Sequence, residues 1–419
     1  MRIKKSHLIL ATVQYIHFCS KAHIWRTAQQ TVFLLLGHRR CTKPFAGSTK
    51  EVYLKAAAFL KKEPVLVGSA VLAALSMFIV HPDTVYIGYI NWSVLATLFC
   101  LMAVTAGLRQ AGLFEFLSDR LIKSGLSGRF LALALIAVCF FASALITNDV
   151  VLITFVPFTI SLLGHGRNLI RVIVMETVAA NLGSLTTPIG NPQNLFLYSY
   201  YSLDFGRFLS VTLPLGGVCL ILVAVCSLLL VHGGDKIESP ASMKIRPPVF
   251  PLCRYCALFL LCILVVLKVL DWRICLGASI LCLFLFDRPL FSRVDYSLIA
   301  SFVCFFIFVG NLARIGPVDN LIHEALLGHE MLVGALASQC ISNVPAAALL
   351  ASFTDNWKCL LLGVNIGGLG TLIASMASLI SYRLYSVSDN AERGRYLAVF
   401  SAVNFSLLVL LLLLSFQLF

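Results

Sequence analysis

The stretch SALITNDVVLITFVPF, residues 143–158, places Thr147, Asn148 and Asp149 in the middle of an otherwise apolar run. A bilayer or a protein core rejects all three unless something uses them.

The rest of the chain decides between bilayer and core. Of 419 residues, 59% are hydrophobic and only 12% charged, with a mean hydropathy of +0.92. No soluble arrangement hides that much apolar surface. The apolar runs are long and rich in Leu, Val and Phe, without the alternating ten-residue segments of a membrane barrel. The fold class is therefore an all-α polytopic membrane protein. The net charge of +13 does not indicate nucleic acid as a partner, because nine basic and no acidic residues lie in residues 1–50 and the remainder carries only +4. That leader reads as a poorly ordered cytoplasmic extension or the product of an upstream start codon, and less as a transit or signal peptide. The fourteen cysteines are scattered singly along apolar runs, so neither a disulfide framework nor a structural metal site is expected, the pair Cys253 and Cys256 included.

The chain repeats itself. NWSVLATLFCLMAVTAGLRQAG (91–112) aligns without gaps on DYSLIASFVCFFIFVGNLARIG (295–316). ASALITNDV (142–150) matches ASQCISNVP (337–345), and NLGSLTTPIGNPQN (181–194) matches NIGGLGTLIASMAS (365–378). Three matches in one order indicate an internal duplication. Basic residues Arg120, Lys123, Arg129, Arg167 and Arg171 flank the first hairpin-like segment, whereas Asp319, Glu324, Glu330 and Asp355 dominate around the second. The halves then face opposite sides. The predicted organisation is an N-terminal extension (1–50), a first repeat (51–232), a cytoplasmic linker (233–253), a linking helix (254–271) and a second, inverted repeat (272–419). Each repeat holds a re-entrant hairpin, over 129–164 and 331–354, and an interrupted helix, over 171–201 and 357–383. The N-terminus is expected in the cytoplasm and the C-terminus outside a cytoplasmic (inner) membrane.

The three polar residues now have a use. Apolar arms of 10 to 18 residues around each tip suit a helix that enters, breaks and returns, and such a break is tolerated only beside protein or a water-filled cavity. The interruptions at Pro188, Gly190 and Pro192, and at Gly367, Gly368 and Gly370, supply the facing wall. The candidate substrate- and ion-binding residues are Ser143, Thr147, Asn148, Asp149, Gly190, Asn191, Asn194, Ser338, Ser342, Asn343, Gly370 and Thr371. Broken helices present N–H groups to an anion, while hydroxyls, amide oxygens and unwound carbonyls suit sodium. Asp149, matched by Val344 in the second half, reads equally as a proton or cation site and as a cap of the return helix. Glu176 is the other ionisable candidate, with Arg171 as its expected partner.

At these residues the chain resembles the ion transporter superfamily, which includes arsenite permeases, sodium/proton antiporters of the D type, citrate-metal symporters and divalent-anion/sodium symporters. TNDVVLITFVP, TPIGNPQN and ISNVP resemble most its citrate-transporter-like anion permeases, and the likeness spans about residues 60–419. It implies an inverted-repeat fold, substrate-binding hairpin tips, elevator-type alternating access and a homodimer. It also implies sodium sites at Ser143, Thr147 and Asn148 and at Ser338, Ser342 and Asn343. The symporters' Ser-Asn-Thr triplets read Thr147-Asn148-Asp149 and Ser342-Asn343-Val344 here, which removes two hydroxyls and adds a carboxylate. The expected function is secondary active transport of a small anion, an inorganic oxyanion or a carboxylate, with sodium or protons as coupling ion and no other cofactor. A cation/proton antiporter is the alternative. An enzyme is the weakest reading, because the chain has no HExxH, paired catalytic carboxylates or nucleophile-base motif.

Overall fold

The structure, a computed structural model, describes residues 63–123, 126, 128–164, 168–232 and 248–418. The basic leader (1–50) and residues 233–247 of the linker lie outside this set, and so do the expectations attached to them. The membrane body is the compact unit Ser69–Phe419.

Among the described residues the chain is helical. In the first half, α1 (Pro64–Ile79) and the single turn α2 (Tyr86–Tyr89) precede α3 (Trp92–Gln110), α4 (Leu113–Lys123), α5 (Gly128–Leu145), α6 (Asn148–Leu163), α7 (Leu169–Ser184), α8 (Pro192–Tyr200) and α9 (Phe205–Leu230). The second half comprises α10 (Val249–Val266), α11 (Trp272–Phe286), α12 (Tyr296–Leu312), α13 (Gly316–Leu326), α14 (Glu330–Ile341), α15 (Asn343–Leu350), α16 (Trp357–Ile366), α17 (Met376–Ser386) and α18 (Arg393–Leu418). Five of these, α3, α5, α9, α10 and α18, are long and apolar enough to cross a membrane. The pair α12 and α13 is apolar enough when taken together and bends by 103° between its members, the form of a broken span or a re-entrant loop. The protein is a multi-pass membrane protein.

Local chemistry sets the helix boundaries. Asn91 caps α3 by accepting from Val94 N at 3.1 Å, and Asp295, its aligned counterpart, caps α12 by accepting from Leu298 N at 3.0 Å. Each satisfies a first-turn N–H that otherwise has no intrahelical partner. The two predicted tips are breaks: α5 ends at Leu145 and α6 starts at Asn148, and α14 ends at Ile341 with α15 starting at Asn343. Ser342 makes the second turn at φ +74°, left-handed backbone that a non-glycine residue adopts at a steric cost. With 12 and 8 residues, α14 and α15 extend only about 18 and 12 Å at 1.5 Å per residue, well short of the roughly 30 Å hydrocarbon core. The arms α5 and α6, with 18 and 16 residues, are longer.

Long-range hydrogen bonds tie helix ends together at two levels. Gln110 at the end of α3 and Arg254 in the first turns of α10 both bond Asp287, just beyond α11. Asn91 at the start of α3 bonds Ser199 in α8, and Tyr201 donates to the carbonyls of Ala351 and Thr354 beyond α15. On the first half's hairpin side, Arg129 of α5 donates to Leu228 O and Asn168, before α7, to His232 O.

Candidate functional site

The two interruptions are built alike. After Ser184 the backbone leaves the helix, and Pro192 starts α8 at a position where its missing N–H does not matter, with Asn191 accepting from Asn194 N at 3.0 Å. In the second half the chain leaves α16 at Ile366 and resumes at Met376. Gly370 sits there at φ +103°, and a Cβ on it would fall 2.2 Å from Gln339 Oε1.

Each break between helices is pinned to its interruption by the same two bonds, and a third bond within the interruption recurs as well. Asn148 N donates to Gly190 O at 3.1 Å, and Asn343 N to Ala374 O at 2.9 Å. Thr187 Oγ1 donates to Ala144 O at 2.5 Å, and Thr371 Oγ1 to Gln339 O at 3.1 Å. Gly190 N donates to Thr187 Oγ1, and Ala374 N to Thr371 Oγ1, both at 3.2 Å. Every pair matches the alignment read from the sequence. Gln339 adds bonds of its own, donating to Gly367 O and Leu369 O and accepting from Thr371 N.

The interruptions are also bonded to each other, reciprocally. Asn365 Oδ1 accepts from Asn191 Nδ2 at 3.2 Å, and Asn365 Nδ2 donates to Asn194 Oδ1 at 2.7 Å. Asn181 Oδ1 accepts from Ser375 Oγ at 2.9 Å, and Asn181 Nδ2 donates to Ser378 Oγ at 3.2 Å. In the aligned segments 181–194 and 365–378, the first residue of each accepts from the eleventh of the other and donates to its fourteenth. Asn148 Nδ2 joins the network by donating to Asn181 Oδ1 at 3.1 Å.

Of the expected site residues, Asn148, Gly190, Asn191 and Asn194 therefore meet in one connected cluster. Asn343 lies against Gly368, and Ser342 sits beside it with weak 3.4 Å contacts to Asn343 Oδ1 and Ala374 O. Ser143 and Ser338 are fully buried one turn before their tips, with hydroxyls bonded to Phe140 O and Gly334 O. Each serine packs where a neighbouring helix carries glycine, Gly183 for Ser143 and Gly367 for Ser338. Thr147 precedes α6 but makes no capping bond. Asp149 lies in the first turn of α6 without capping it, and its Oδ1 has no partner. A carboxylate at this position faces the favourable end of the helix dipole.

Three features fall outside the sequence reading. Asn181 and Asn365 are the hubs of the cluster, and the signal was their position as first residue of both aligned segments. Ser375 and Ser378 were hidden because serine is unremarkable in a membrane helix. Glu176 does not pair with Arg171. It accepts from Thr159, while Arg171 contacts Leu230 O and His232 Nδ1.

Chemically the cluster offers amide and hydroxyl dipoles, unwound carbonyls and the starts of four helices. Among the described residues no lysine or arginine hydrogen-bonds to it and no group of His, Cys, Asp and Glu side chains is arranged to hold a metal.

Residues 57–356 match the model of the CitMHS family, described as citrate transporters. The chain is 34% identical over 331 residues to an uncharacterized transporter of Methanocaldococcus jannaschii, covering 78% of this chain and 89% of that protein. It is 31% identical over 322 residues to an inner membrane protein of Escherichia coli K12, covering 74% and 84%. A silicon efflux transporter of Oryza sativa subsp. japonica is 35% identical over 150 residues, 35% of this chain and 30% of the plant protein. Its membership is thus of a group of transporters and not of enzymes. The chain belongs to the CitMHS citrate-transporter family, within the ion transporter superfamily, and is a secondary transporter of small anions or ions across a membrane.

Proposed function

We propose that the protein carries a small anion, an oxyanion or a carboxylate, across the inner membrane with sodium or protons, by elevator-type movement of the two hairpins and interrupted helices as one unit. The observation that carries the reading is the reciprocal bonding of Asn181 and Asn365 to the eleventh and fourteenth positions of each other's segments. Two structural repeats of opposite orientation meeting at one polar centre account for it, and inverted repeats place substrate and coupling ions at such a centre. The bonds that gather the ends of α3, α10 and α11 apart from those of α8 and α15 support opposite entry of the two hairpins. The N-terminus then lies in the cytoplasm and Phe419 outside. We place the substrate between the tips at Thr147, Asn148, Ser342 and Asn343, facing Gly190, Asn191, Asn194, Gly370 and Thr371. Sodium would take oxygens near Ser143 and Ser338. Two copies are proposed to form the working unit.

The family name makes citrate the first substrate to try, and the rice relative makes a soluble silicon species the second. Purified protein in liposomes should take up labelled citrate, arsenite or silicon under an imposed sodium or proton gradient, and the substrate should raise the melting temperature, because a ligand of the folded state stabilises it. Absence of uptake for every anion tested, together with proton movement driven by sodium alone, would replace this reading by the antiporter one. The unpartnered Oδ1 of Asp149 is the observation that favours that second reading.

A further inference from the structure

Glu176 lies in the middle of α7 and is fully buried, between Met175 and Thr177, which are buried too. Thr159 of α6 donates to its Oε1, and Oε2 has no partner. Among the described residues no lysine, arginine or histidine pairs with it. Arg171, five residues earlier on the same helix, is turned to His232 and the carbonyl of Leu230. The titratable groups within electrostatic reach are the Cys139 thiol of α5 and the Tyr396 hydroxyl of α18. From α17, Tyr385 stacks on the Tyr396 ring with centroids 4.9 Å apart. Asp149 precedes Thr159 by ten residues on α6, about 15 Å at helical rise.

A bare carboxylate in such a place is expensive: the effective cost of burying an ion without a partner is several kcal/mol, and the group neutralises instead. The geometry accommodates the neutral form. A protonated Glu176 donates from Oε1 to Thr159 Oγ1 and leaves Oε2 as a carbonyl oxygen, whose missing partner is the milder deficit. Sodium fits poorly, since it needs a cage of several oxygens and the carboxyl meets a single hydroxyl.

A polar seam starts at the next residue of α7, within electrostatic reach of this carboxyl and without a hydrogen bond to it. Thr177 Oγ1 donates to Ser381 Oγ at 2.6 Å, and Ser381 Oγ lies 3.1 Å from the Tyr396 hydroxyl. One turn further along the same pair of helices come Asn181, Ser378 and Ser375, the bonded centre of the candidate site. In the other direction Tyr385 accepts from the backbone N–H of Glu392, in the exposed turn between α17 and α18.

We propose that Glu176 is a proton-binding site of this transporter, protonated in the conformation seen here. The proposal rests on the transporter reading and assigns the proton as coupling ion to a residue outside the substrate cluster.

The test begins without substrate. Full-length protein in lipid is titrated from acid to alkaline pH and followed by infrared difference spectroscopy, comparing wild type with Glu176→Gln and Asp149→Asn. A carboxylic-acid C=O band that titrates in wild type, vanishes in Glu176→Gln and persists in Asp149→Asn is the expected result. Identical bands in wild type and Glu176→Gln, or a band that never titrates, would overturn the proposal. Glutamine matches the protonated side chain in shape and can keep the Thr159 contact. Should it nevertheless fail to fold, Thr159→Val must displace the band, and an unmoved band counts against the site. In liposomes loaded with a pH dye, uptake of the anion found above should acidify or alkalinise the lumen in wild type and not in Glu176→Gln. Wild-type uptake without a Glu176 band would remove this site and leave the transporter reading intact, whereas a titrating band without uptake of any anion would do the reverse.

Discussion

Replacing Asn365 by alanine tests the crossing of the two interruptions most directly. Its amide donates to Asn194 Oδ1 at 2.7 Å and accepts from Asn191 Nδ2 at 3.2 Å, and a third bond to Leu361 O stays within its own helix. Interhelical hydrogen bonds in membrane proteins average about 0.6 kcal/mol, so the two lost bonds account for about 1.2 kcal/mol. Asn194 is fully buried, and its Oδ1 would lose Asn365 as partner. A stranded buried acceptor adds about 1–3 kcal/mol. The expected destabilisation is about 2–4 kcal/mol, or roughly a 30- to 700-fold change in the unfolding equilibrium. Unfolding of the purified protein in mixed micelles, titrated with a denaturing detergent, measures it. The decisive quantity is the coupling between Asn365→Ala and Asn194→Ala, since contacting residues show non-additive effects and independent ones do not. A coupling of about 0.6 kcal/mol or more is expected, and the mirror-image cycle of Asn181→Ala with Ser378→Ala should resemble it. Additive behaviour in both cycles would refute the crossing.

Asn148→Ala and Asn343→Ala should each abolish uptake while the protein still reaches the membrane, and near-normal uptake in either would reduce that tip to a helix start. Asp149→Asn should leave substrate binding in place and flatten the dependence of uptake on pH or sodium; unchanged curves would take Asp149 out of coupling. Gly183→Ala puts a Cβ 2.0 Å from Phe140 O and 2.5 Å from Ser143 Oγ, so α5 must move off α7 at a cost of about 1–3 kcal/mol, read as a lower melting temperature; an unshifted one would refute the close approach. Cysteine labelling should find residues 233–249 on the cytoplasmic side and Phe419 outside, and a cytoplasmic Phe419 would refute the inverted orientation.

The sequence by itself determined the class of molecule, since composition alone excludes a soluble fold. It also located the breaks. Thr147-Asn148-Asp149 and Ser342-Asn343 stand out because polar residues in apolar runs need a reason, and the helices begin at Asn148 and Asn343. The aligned segments even held the register in which Asn181, Asn365 and their partners bond. What tertiary structure alone decided is which polar side chains meet. Asn365 and Asn191 are 174 residues apart and Glu176 and Thr159 seventeen, and no local rule pairs them. A soluble helix reveals its inward face by an apolar stripe, but helices apolar all round carry almost no such signal. The rotation of α7 about its axis was therefore not legible. That rotation sends Arg171 to His232 and the carbonyl of Leu230 and buries the Glu176 carboxyl against the Thr159 hydroxyl.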